Sequence, residues 1–227
     1  MRMNLKLILS ALCLIGLTII FNCSFMQIPP LGKVLSPFSG FLQNAYDKPI
    51  NERQDFENLS DSVKVKIDSF NIPHVFAKND KDLYFMQGYL HAKDRLWQMD
   101  FIYRTSSGRL SEIFGERTLN LDRVIRRKGL TWAAENSLDH ITKNSKETLD
   151  HLVAYSSGVN AYLKQLDYED LPVEFKIFNY SPEEWTPLKT ILIQKYMSDM
   201  LSGYDTDAEM KEQRNMLREH QAVMKDQ

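Results

Sequence analysis

From Phe85 to Tyr103 the apolar residues Phe85, Tyr89, Ala92, Leu96, Met99 and Tyr103 recur at steps of 4, 3, 4, 3 and 4. That spacing is the signature of a helix with one buried stripe, so the fold must be built around a core that covers it. Asn79 or Asp80 offers the N-cap, acidic residues follow in the first turn, and Gly108 is placed to end the helix. The stretch and the residues just after it are dense in polar and charged side chains, with His91, Asp94, Arg95, Gln98, Asp100, Arg104 and Arg109. Asp94/Gln98 and Asp100/Arg104 have the i,i+4 spacing that lets side chains bond along one helix.

The flanking segments are also mainly helical. Before the long helix, Val63, Val65 and Ile67 alternate with lysines as in a half-buried strand. A turn at 69–73 and a second short strand at Val75 and Phe76 complete a hairpin. After it, "RLSEIFGE" reads as a short helix closed by Gly115, and a third helical pattern runs from Leu119 to about Trp132. A fourth opens at Ser145 and places Leu149, Leu152, Val153, Val159 and Leu163 on one side. "LPVEFKIFNY" reads as extended, Ser181-Pro182-Glu183-Glu184 as a helix start, and Pro187–Leu201 as a well-patterned helix. The expected class is α+β, mostly helical, with a strand hairpin near residues 63–77.

Residues 1–26 are a different material. Arg2 and Lys6 precede an apolar run from Leu7 to Phe21, and the stretch through Met26 reaches the roughly 20 residues that span a bilayer. A signal anchor holding the chain in the membrane through residues 7–26 is expected, with a cleaved or Cys23-lipidated form as the alternative. The remainder would face the periplasm or the outside of the cell. Residues 27–62 read as a lead-in linker and 63–227 as the globular region. Both cysteines, Cys13 and Cys23, lie in the first segment, so the remainder can hold no disulfide and no cysteine nucleophile. A net charge of −2 gives no footprint for nucleic acid.

Tested for chemistry, the globular region is incomplete. His91 and Asp94 lack a third ligand at metal spacing. None of the nine glycines is followed by serine, so no Gly-x-Ser-x-Gly elbow exists. His74 reads as a packed, hydrogen-bonded turn histidine, and His140, His151 and His220 as exposed. Asp205, Asp207 and Glu209 are closely spaced carboxylates of the kind that suits calcium, without an EF-hand's spacing.

Taken together, "VKIDSFNIPHVFAKNDKDLYFMQGYLHAKDRLWQMDFIYRTSSGRLSEIFGE", "LDRVIRRKGL", "LPVEFKIFNYSPEEWTPL" and "MSDMLSG" resemble the α-chain of the penicillin acylase (penicillin amidase) family. That family also contains cephalosporin acylases and acyl-homoserine-lactone acylases. The resemblance runs from about Val63 to Glu209. It implies the four-layered αββα fold of N-terminal-nucleophile hydrolases, a precursor cut into α- and β-chains, and hydrolysis of linear amide C–N bonds in acylated small molecules. The nucleophile would be the β-chain's N-terminal serine, so no catalytic residue is expected here and this chain alone would be inactive.

By the same resemblance a calcium ion would be shared with the β-chain, with Glu209 as the first candidate ligand and Asp207 as the alternative. Met200 and Leu201 would line the acyl pocket. Asp94, Arg95, Gln98 and Arg109 would be scaffold, holding helices together and meeting the β-chain. Without that chain the stripes of helices 85–103 and 188–201 would be exposed. The rival readings are a non-catalytic truncated remnant with an envelope binding or structural role, and an acylase acting on acyl-homoserine lactones.

Overall fold

A computed structural model describes residues 5–23, 30, 32, 36, 40 and 53–202. Helix α1 covers Leu5–Asn22. The hairpin pairs β1 (Lys64–Ile67) with β2 (Pro73–Phe76), antiparallel, with Val65 opposite Val75. Then come α2 (Asp80–Ser107), α3 (Ser111–Phe114), a 3₁₀ turn over Gly115–Thr118, α4 (Leu119–Arg127), α5 (Leu130–Asn144), α6 (Lys146–Leu163), α7 (Val173–Ile177) and α8 (Pro187–Leu201).

The long helix forms where its stripe places it. Asn79 caps it by accepting from the Asp82 amide, and Gly108 closes it at φ 64°, with the amides of Gly108 and Arg109 both returning to Arg104 O. Its dihedrals leave the helical region at Arg95 (φ −134°, ψ 25°). Phe85, Tyr89, Ala92 and Leu96 are buried within this chain, chiefly against α6. The expectation that the 85–103 stripe waits for another chain is therefore corrected: α6 already covers it.

What lets α6 do so is a pair of glycines. A Cβ on Gly158 would lie 1.8 Å from Phe85 O, and one on Gly88 would lie 2.1 Å from Tyr155 O. With only hydrogens at the crossing, the two backbones touch directly. Partners advance together along the pair, Tyr84 with His151 and Tyr89 with Tyr162, so α2 and α6 run parallel. The buried face of α6 is Ala154, Ser156, Gly158 and Val159, while Val153, expected inside, is 46% exposed. Ala92, Leu96, Val159, Phe175 and Trp185 make one core cluster, and Ala134, Ile191 and Leu192 join α5 to α8 in a second.

Three expectations differ from the structure. The third helical pattern is broken at Gly129 (φ 71°), where α4 ends and α5 starts. Residues 181–186 are not helical, and the expected extended piece before them contains α7. Third, α1 ends at Asn22 after 18 residues, about 27 Å at 1.5 Å per residue, short of a hydrocarbon core of about 30 Å. Lys6 also falls inside it. Among the described residues no helix is long and apolar enough to cross a membrane. The described residues therefore give the signal-anchor reading through residues 7–26 no support.

Candidate functional site

The charge-rich stretch separates into an outer and an inner set. Asp94 and Arg95 pair with each other (2.9 Å) on the exposed side, and no bond joins Asp94 to Gln98. These three residues link no helices among the described residues. His91 Nδ1 lies 3.1 Å from the Tyr155 hydroxyl, tying α2 to α6. Burial holds its pKa below the ordinary value, against the pull of Asp94.

The inner set is a network with a buried centre, Asp100, Arg104 and Lys189, and a partly exposed rim. Asp100 and Arg104 bond at 2.8 Å along α2, each 4% exposed. Arg104 also donates to Glu112 (2.8 Å) and to Glu183 (3.1 Å). Arg109 grips both carboxylate oxygens of Glu112 at 2.7 Å, reaches Glu183 at 2.6 Å and bonds the Tyr103 hydroxyl at 3.0 Å. Lys189 of α8, itself buried, reaches Glu183 at 3.3 Å and lies 4.4 Å from the Tyr103 ring. Bonds from Arg109, aided by Lys189 and Arg104, hold the Glu183 carboxyl down at about 2. Arg109 is raised by Glu112 and Glu183, and burial pulls Lys189 down.

The network positions the start of α8. Next to Glu183, the backbone N–H of Trp185 donates to Asn160 Oδ1 (2.7 Å), and Asn160 Nδ2 donates to Trp185 O (2.9 Å). Trp185 fills the first core cluster and its indole N–H donates to Thr190 (2.9 Å), while Pro187 occupies the first turn of α8. "EEWTPL" thus holds a salt-bridge anchor, a core plug and a helix start in consecutive residues. At the far end, Lys128 pairs with Asp199 at 2.5 Å. Around that clamp Met197, Met200 and Leu201 are 56%, 66% and 83% exposed. The two expected acyl-pocket residues therefore stand in an apolar group at the end of a firmly held helix. Asp207 and Glu209, the expected calcium ligands, lie outside the described residues, as do Asp205 and His220.

Two further carboxylates do structural work that spacing did not reveal. Asp82, fully buried, accepts from the backbone amides of Ser60 (2.8 Å) and Asp61 (2.9 Å), docking the lead-in onto α2. Asp122, 2% exposed, accepts from the Leu110 and Ser111 amides (3.0 and 2.7 Å) at the start of α3. His74 is hydrogen-bonded as expected, to Asp68 at 3.0 Å, but it is exposed rather than packed. His140 is exposed as expected, whereas His151 is half-buried against Tyr84. Ser106, Ser107, Ser156, Ser198 and Ser202 each donate to a backbone carbonyl one turn back rather than to an imidazole.

Comparison with known proteins gives this arrangement its relatives. The profile described as Penicillin amidase matches residues 62–226. Penicillin acylase 2 proenzyme of Pseudomonas sp. (strain SE83) is 32% identical over 155 residues, 68% of this chain and 19% of that protein. Penicillin G acylase of Escherichia coli is 29% identical over 140 residues, 60% and 16%. The acyl-homoserine lactone acylase QuiP of Pseudomonas syringae pv. syringae (strain B728a) is 32% identical over 155 residues, 68% and 18%. Among solved structures, the thermostable penicillin G acylase from Alcaligenes faecalis superposes with a TM-score of 0.57 at 32% identity, covering 62% of this chain and 74% of that one. The chain thus spans under a fifth of the length of these curated relatives.

Proposed function

The chain belongs to the penicillin amidase family, and we propose that it is the α-chain portion of a hydrolase that cleaves linear amide bonds in acylated small molecules. The observation that carries this reading is the family match over residues 62–226, which covers the helical scaffold yet only a small part of the relatives' length. In the proposed enzyme a β-chain supplies an N-terminal serine. Its hydroxyl attacks the amide carbonyl while its own α-amine takes the proton. The C–N bond breaks as that proton passes to the leaving amine, and water then hydrolyses the acyl-serine ester to the free acid. An unperturbed α-amine titrates near 7.7–8.0, suited to general-base work at neutral pH. This chain contributes position rather than chemistry: the Glu183 network and the Trp185–Asn160 pair fix α8, and α8 presents Met197, Met200 and Leu201. That apolar end suits an aliphatic or aromatic acyl group over a charged one.

Calcium shared with the β-chain belongs to the same proposal. Carboxylate oxygens such as those of Glu209 or Asp207 suit that ion, and no step of the reaction is routed through it. The cell envelope is the proposed location, on the basic-headed apolar α1 and the cysteine-free remainder. A second reading, an acylase acting on acyl-homoserine lactones, is favoured by the equal 32% identity to QuiP.

The experiment is co-expression of this chain with a serine-led β-chain encoded in the same genome, followed by a panel of N-acyl p-nitroanilides, benzylpenicillin and acyl-homoserine lactones. Turnover of the panel, weakened in KM by Met200→Asp or Leu201→Asp, supports the proposal, and the preferred acyl donor separates the two substrate readings. A folded complex that turns over none of them favours the non-catalytic remnant.

A further inference from the structure

The parallel packing of α2 and α6 places both helix N-termini at one end of the molecule. Asp80 is the first residue of α2, Glu147 lies in the first turn of α6, and His151 follows one turn later. One ligand atom from each, two carboxylate oxygens and an imidazole nitrogen, all lie within 4.8 Å of one another. No hydrogen bond or ion pair joins any two of the three, so the groups converge without satisfying each other. The imidazole is also held in place: its ring lies 4.5 Å from that of Tyr84, tilted 31°, and Tyr84 is one turn along α2 from Asp80. The α2 pair Asp80/Tyr84 therefore faces the α6 pair Glu147/His151 across a crossing whose separation Gly88 and Gly158 fix.

We infer that Asp80, Glu147 and His151 form a binding site for a divalent transition-metal ion of the zinc class that staples the N-terminal ends of α2 and α6. The donor set decides the class. Imidazole nitrogen favours zinc-like ions over calcium and magnesium, and two carboxylates neutralise the ion's charge. Ligands around such an ion lie about 3.0–3.5 Å apart. Asp80 and Glu147 are exposed, so the remaining gap is left to rotation of their side chains. Three protein ligands leave the remaining position to water. Lys81, Lys146 and the two helix N-termini oppose a cation here, and Asp150 lies in the same groove with Glu147 and His151. Both carboxylates are consequently needed for occupancy. The site uses neither Asp207 nor Glu209, and the inference does not rest on the amidase reading.

The test is equilibrium dialysis of the full chain against zinc chloride, with far-UV circular dichroism to verify folding of each variant. The site predicts that His151→Gln binds one equivalent of zinc fewer than the wild type. Asp80→Asn and Glu147→Gln should each weaken that equivalent at least tenfold, while His140→Gln leaves it intact. Comparison by difference removes binding at Cys13, Cys23 or other histidines. Zinc should raise the melting temperature of the wild type and of His140→Gln, but not that of His151→Gln. Equal stoichiometry in wild type and folded His151→Gln, or no saturable zinc in either, overturns the inference.

Discussion

Gly158→Ala puts a single methyl into the crossing of α2 and α6. An ideal Cβ there lies 1.8 Å from Phe85 O, 2.8 Å from Phe85 C and 2.9 Å from Tyr89 N, whereas ordinary contact begins at 3.4 Å. The obstructing atoms are backbone, so no rotamer change relieves them, and α2 must withdraw by about 1.6 Å at this point. Overpacking of this kind costs roughly 3 kcal/mol or more when backbone has to move. Alanine returns about 1 kcal/mol through its better helix propensity, leaving a net loss of about 2 kcal/mol or more. Urea unfolding of the full chain, followed by far-UV circular dichroism, should show the midpoint falling accordingly. Ser157→Ala on the same turn should stay within about 0.5 kcal/mol. Gly88→Ala, whose Cβ would meet Tyr155 O at 2.1 Å, should behave alike. The double variant should cost less than the sum, because one separation of the helices relieves both clashes. A Gly158→Ala chain as stable as the wild type would refute the direct-contact account of this core.

Arg104→Met leaves the Asp100 carboxylate buried without its cation, and a loss of about 3–5 kcal/mol is expected in the denaturation midpoint; an unchanged midpoint would show that the network carries little. Glu183, held at about 2 against an ordinary 4.5, stabilises the fold above about pH 4.5 and loses that contribution as pH falls toward 2. With 36% of its side chain exposed, screening leaves about 1–2 kcal/mol. The stability gap between wild type and Glu183→Gln should therefore shrink over that window, and a constant gap counts against the assignment. Asp122→Asn replaces one acceptor oxygen with a donor, and about 1–3 kcal/mol should be lost, with faster hydrogen exchange at the Leu110 and Ser111 amides. Unaltered exchange there would mean that the carboxylate is not their anchor.

Periodicity made α2 legible because six apolar residues define one face and both caps are encoded beside it. The hairpin alternation was equally direct: Val63, Val65 and Ile67 are half-buried between exposed lysines. The pairing face of α6 was misread because it is made of Ala154, Ser156 and Gly158, residues that carry no hydrophobic signal and matter only through the partner backbone they admit. Ser181–Glu184 reads as a helix start, but the Arg104–Arg109–Lys189 cations draw Glu183 into their network and the segment is not helical. Of the candidate site, the i,i+4 pair Asp100/Arg104 was readable, whereas Glu183, which joins Arg104 and Arg109, lies 79 and 74 residues from them in sequence. Asp82 and Asp122 bond to backbone amides, which no side-chain pattern encodes. An exposed Met200 and Leu201 agree with a pocket-facing expectation without testing it, since the opposing wall belongs to the proposed partner.

The most direct test of the central claim is hydrolysis of an N-acyl p-nitroanilide by this chain, by a serine-led β-chain, and by the two co-expressed. The α-chain account predicts release of p-nitroaniline by the complex alone, abolished when the β-chain's first serine is replaced by alanine. Turnover by this chain alone, or a folded complex with no turnover of any acyl donor, would contradict it.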